Sequence, residues 1–121
     1  MADRRGRYAA FTDALTESVL ATPGHTPVEL RQTVLARAAR QSGRTAHGGR
    51  EGGESIPAPI AAYVDKVARH AYKVTDTDLA ALQRTGNSDD ALFEVTVAAA
   101  LGAALGRLER GLAALRGEEP D

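Results

Sequence analysis

A helix that is apolar on every side must be covered on every side, and the last third of this chain reads as one. From Leu92 to Leu105 it is built largely from alanine, leucine and valine, with Glu94 as its one charge. Leu101, Leu105, Leu108, Leu112 and Leu115 repeat by four and three, the spacing of a coiled-coil seam. Ala98, Gly102 and Gly106 add a ridge of small residues at spacing four, where another backbone can approach closely. A chain of 121 residues holds one core and not two. The extra cover is therefore expected from a second copy, with Ala98, Gly102 and Gly106 as the oligomer interface.

The other periodic segments are helical too, and none reads as a strand. Tyr8, Phe11, Leu15 and Val19 predict an amphipathic helix over residues 6–20, stopped by Ala21-Thr22-Pro23-Gly24. Thr26-Pro27-Val28-Glu29 predicts a capping box with proline in the first turn. Leu30, Val34, Leu35 and Ala38 are the inner face of the helix that follows. Residues 43–56 are rich in glycine and charge and predict a flexible surface loop. A phosphate-cradling role for it lacks both the preceding strand and the Gly-Lys-Ser/Thr ending.

Pro57 and Pro59 open a third helix with Ile60, Val64, Val67 and Ala71 on one stripe. Thr75 and Asp78 predict the capping box of a short fourth helix, with Val74 stapled onto Leu79, and Gly86 supplies the left-handed residue after it. Ser88 caps the fifth, with Asp89 and Asp90 at its positive end. The expectation is an all-α, five-helix bundle forming a single domain over 1–121, with frayed tails at 1–5 and 117–121.

Composition closes several function classes. A net charge of −1 with acidic residues spread among the arginines argues against nucleic acid. The one basic cluster, Arg4, Arg5 and Arg7, reads as a solvated terminus. No window is read as the roughly 18-residue apolar run of a membrane span, nor the start of the chain as a signal peptide, so a cytoplasmic location is expected. The chain has no cysteine, which removes disulfides, thiolate metal sites and thiol nucleophiles together. Two lysines against abundant arginine, alanine and glycine suggest a GC-rich bacterial source.

The run Leu82-Gln-Arg-Thr-Gly-Asn-Ser-Asp-Asp-Ala-Leu-Phe-Glu-Val-Thr-Val97, with Tyr63–Ala81 before it and the alanine-rich run after it, resembles the alkylhydroperoxidase D / carboxymuconolactone decarboxylase superfamily. The shared pattern is a glycine, Ser/Thr followed by two acidic residues, then Ile/Leu-x-Glu-hydrophobic. The resemblance covers about the second half of the chain and implies an all-helical, oligomer-forming fold. Counting back from Gly86, the family's Cys-x-x-Cys-x-x-x-His falls on Ala71, Val74 and Asp78. Sliding the frame to give His70 the histidine role puts Tyr63 and Lys66 at the cysteines and spoils the distance to Gly86. The tyrosine and proline of the decarboxylase branch are Gly102 and Gly106 here. Peroxidase and disulfide-reductase chemistry are thus closed to this chain.

Two residues remain as candidate catalytic groups. His70 lies one heptad from Tyr63 with Lys66 a turn before it, and a histidine beside a phenol suits proton transfer. Its plainer reading is an edge histidine whose ring covers the core. Glu94 lies in the leucine stripe, where desolvation would raise its pKa and suit it to acid or base work; its plainer reading is a paired structural carboxylate. Tyr63, Asp65 and Lys66 are possible supporting residues, with a solvated face as the alternative for Asp65. Asp78 reads as a cap. His25, His47 and His70 are too scattered for a metal site, and no cofactor is implied.

Three functions follow as expectations. The first is a non-redox, oligomeric binding or scaffold protein of that superfamily. The second is a decarboxylase- or isomerase-type enzyme using His70 and Glu94 as acid and base. The third is an accessory subunit whose apolar helix is buried against a different protein.

Overall fold

The computed structural model describes residues 9–44 and 56–117. They form α1 (Ala9–Ala21), α2 (Val28–Gln41), α3 (Ala58–His70), α4 (Asp76–Arg84) and α5 (Asp89–Leu115), with a 3-10 turn at Ala71–Lys73. No strand occurs among the described residues, and the architecture is the expected all-α arrangement of five helices. Arg4, Arg5, Arg7, Tyr8, His47, most of the glycine-rich loop and most of the two tails lie outside the described residues.

α2 and α5 run side by side in the same direction. Thr26 meets Glu94 near one end, Leu35 and Ala38 meet Gly102 midway, and Arg44 meets Glu109 beyond the other. The glycines make this approach possible. A Cβ on Gly102 would collide with the Leu35 carbonyl oxygen, and one on Gly106 with that of Ala39. Ala98, Gly102 and Gly106 are accordingly buried within the chain. The ridge read from the sequence as an oligomer interface is covered instead by α2, leaving no surface there for a second copy.

The core gathers between α2, α3 and α5, with α4 capping one side. Val34, Val64 and Val95 are fully shut from solvent, and Ile60, Tyr63, Val67, Leu82, Leu92 and Ala99 pack around them. Each fully buried valine contributes roughly 1.5–3 kcal/mol by leaving water. The inner faces expected for the second and third helices are found here, except that Ala71 is exposed in the 3-10 turn.

The punctuation near α4 and α5 follows the sequence closely. The Thr75 hydroxyl accepts from the Asp78 amide at 3.2 Å while Asp78 accepts from the Thr75 amide at 2.9 Å. Gly86 takes φ +100°, a conformation that L side chains avoid. The Ser88 hydroxyl accepts from the Ala91 amide, and Asp89 and Asp90 stand in the first turn of α5. The box expected at Thr26–Glu29 does not form: Pro27 occupies the cap with no side-chain hydrogen bond, because Thr26 is engaged elsewhere.

α1 departs most from its expected role. It buries no residue, and Phe11 and Leu15, assigned to its inner face, are 74% and 54% exposed. Among the described residues of that stripe, Val19 alone packs against the core.

α5 also corrects the membrane reading. Its 18-residue apolar window has a mean hydropathy of 1.5 and is long enough to span a bilayer, although half of that window is buried within the chain.

The glycines of α5 are expected to separate by context. Gly102→Ala should lower stability by roughly 1–3 kcal/mol through overpacking against backbone. Gly111→Ala, which meets nothing within 4 Å, should raise it by up to ~1 kcal/mol through helix propensity. Urea denaturation checks both; equal effects would contradict the close α2–α5 approach.

Candidate functional site

Glu94 is the hub of a polar latch between α5 and the turn joining α1 to α2. Oε2 accepts from the His25 amide at 2.6 Å, and Oε1 accepts from the Thr26 amide at 2.8 Å and the Thr26 hydroxyl at 2.6 Å. Arg31, buried despite its charge, donates to the Val19 carbonyl at 2.6 Å and the Thr26 carbonyl at 3.4 Å. Gly24 is required beside them, since a Cβ there would strike the Glu94 carboxylate. His25 lies 3.6 Å from Asp90, an exposed pair of little energetic weight.

The balance of forces on Glu94 runs opposite to the sequence expectation. Burial pushes its pKa up, but the His25 and Thr26 donors and the nearby Arg31 together pull it below its ordinary value of 4.5. A carboxylate held charged by three donors is a structural anchor rather than a proton shuttle at neutral pH.

The candidate supporting residues are also engaged. Asp65 accepts from Arg37 through both oxygens, at 2.6 and 2.8 Å, and from the Gln41 amide. The Arg37 hydrogen bonds outweigh the raising effect of burial, and with Gln41 and Arg69 they hold the Asp65 carboxyl below its usual value. Lys66 reaches Asp78 at 3.0 Å. Asp78 is held low by the Thr75 amide first and by Lys66 second. The Tyr63 hydroxyl lies 2.6 Å from that of Thr96, which donates its own proton to the Leu92 carbonyl. Tyr63 is therefore the donor in that pair, and its buried ring is part of the core.

His70 stands elsewhere. It ends α3 in an exposed position, with its ring edge-on to Tyr72 at 6.0 Å. There it lines a cleft of about 440 Å³ with Ser42, Gly43, Arg69, Arg107 and Arg110. Arg107 lies roughly 20 Å further along α5 than Glu94, at 1.5 Å per residue. Glu94 faces the turn before α2 and His70 the end of the same helix. The proposed acid–base pair does not converge within the chain, and His70, Tyr63 and Lys66 form no shared site.

Among the described residues, no group of three histidine or carboxylate side chains gathers as a metal site requires. Compared with family models, with curated proteins and with solved structures, the chain matches none. Two features escaped the sequence reading. The cleft assembles arginines from α3 and α5, and nothing local signals that they meet. The Thr26–Glu94 contact spans 68 residues, and only the awkward carboxylate in an apolar stripe hinted at it.

Glu94→Ala should cost about 1–3 kcal/mol, because it leaves donors without their charged acceptor. The lowered folded-state pKa means this contribution is full above pH 4.5 and is lost as pH falls through the folded value. The stability gap between wild type and Glu94→Gln should therefore narrow on acidification. Denaturation curves at neutral and acid pH test this; a constant gap would contradict the latch.

Proposed function

We propose that this chain is a self-associating helical scaffold or binding module, a non-redox relative of the alkylhydroperoxidase D / carboxymuconolactone decarboxylase superfamily. The observation that carries this reading is the second apolar face of α5. Phe93, Val97, Ala100, Ala104, Leu108 and Leu115 follow one another by three, four or seven residues and lie on one side of the helix. All but the half-buried Val97 are exposed, with Phe93 at 69% and Leu115 at 85%. This stripe lies about half a turn around the helix from Ala98, Gly102 and Gly106, so one apolar side meets α2 while most of the other is left exposed.

A 27-residue helix is roughly 40 Å long, and a stripe along most of it offers the area of a helix-pair seam. Two copies laid α5 against α5 across a twofold axis would cover both stripes at once, the commonest form of homo-oligomer. Ala100 and Ala104 in the middle would let the helices approach closely. The supporting argument for a module over an enzyme is the separation of His70 from Glu94 and the engagement of Glu94 as an anchor. The absence of cysteine supports the non-redox reading, and the capping and ion-pair role of Asp78, which stands where the family's histidine falls, supports it further.

Native mass spectrometry of the untagged chain is expected to show a dimer or higher even multimer. Ala104→Arg should convert it to monomer with unchanged helical content, while Ala81→Arg on exposed α4 should not. A monomeric wild type, or an Ala104→Arg chain that still multimerises, would sink the reading. An associated polypeptide of different mass would favour the accessory-subunit alternative.

A further inference from the structure

The cleft beside His70 has a charge that nothing in the latch or the apolar stripe uses. α2 and α3 both end at it, so each directs its negative dipole end there. Those two ends amount to about −1 elementary charge in total. Against them stand Arg69, Arg107 and Arg110, and no acidic residue lines the cleft among the described residues. Arg107 donates one nitrogen to the Ala68 carbonyl at 2.6 Å, which fixes its guanidinium at the mouth of α3. Arg110 makes no hydrogen bond or ion pair with a described residue, and Arg69 acts only as a nearby charge on Asp65, whose oxygens are bonded to Arg37 and Gln41. About two positive charges are left over after the helix ends are neutralised.

Two further observations point the same way. The Ser42 hydroxyl is shut from solvent and lacks a partner among the described residues, and Ser42 lines this cleft. The cationic groups are guanidiniums, whose planar forks match phosphate and carboxylate oxygens two at a time.

We propose that this cleft binds a small phosphate monoester, with Arg69, Arg107 and Arg110 holding the phosphate group. The doubled charge on one compact group is what the excess of two matches; a dicarboxylate of the same total charge spreads it over two ends. Arg110 lies off the exposed stripe, while Arg107 stands at its border, one turn after Ala104.

The test is a ¹⁵N-resolved NMR titration of the full chain with glycerol 3-phosphate, inorganic phosphate and succinate. Saturable shifts are expected at the amides of Ser42, Gly43, Arg69 and His70, with both phosphates binding more tightly than succinate. Arg110→Gln should weaken binding about tenfold, the loss of one charge-assisted contact. Arg84→Gln, on the exposed end of α4, should leave it unchanged. Linear shifts that never saturate in the millimolar range, or equal losses in Arg110→Gln and Arg84→Gln, would overturn the site. Succinate binding as tightly as the phosphates would overturn the ligand class.

Discussion

The close approach of α2 to α5 is the constraint on which the rest of the structure depends. Two glycines a turn apart let the α2 carbonyls of Leu35 and Ala39 lie where side chains would otherwise stand. With the two backbones drawn together, the valines at Val34 and Val95 complete a core with α3. The register set by this contact also decides which polar groups meet. It brings Thr26 to Glu94 at one end and Arg44 to Glu109 at the other. The packing and the polar pattern are thus consequences of the same steric allowance.

The parallel course of α2 and α5 gives the molecule electrically distinct ends. Where α2 begins, backbone amides of the preceding turn converge on a carboxylate held charged. Where α2 and α3 finish, carbonyl ends gather and arginines from two helices answer them. Each end places the sign of side-chain charge that complements its helix dipoles. The arginine end overshoots that compensation, and the excess distinguishes a binding cleft from simple helix capping.

Local chemistry was legible in the sequence wherever it was decided within a few residues. The Thr75–Asp78 box, the Ser88 cap and the turn at Gly86 were all readable because each closes on itself. Thr26 shows the limit. Its capping pattern was sound, but a carboxylate 68 residues away competes for the hydroxyl and wins by its charge. The small-residue ridge shows a second limit. Periodicity reveals that a face is apolar, and not which neighbour covers it, so a helix apolar all round offers two faces that the pattern alone cannot rank. For α1 the stripe was visible but most of its expected cover was not found. For the candidate site, residue types suggested chemistry that a separation of about the length of α2 denies to the pair His70 and Glu94.

The latch at Glu94 has a consequence for how the molecule opens. α1 buries no residue of its own; Val19 leans on the core and its carbonyl accepts from Arg31, while Glu94 secures the segment just after the helix. The core contact of this helix and its polar bond to Arg31 both lie toward its C-terminal end. Local stability in a protein follows the density of buried contacts, so α1 is the natural unit of first detachment. Its amides should trade their hydrogens with solvent long before those of Val34, Val64 and Val95, and its release would leave the three-helix core standing.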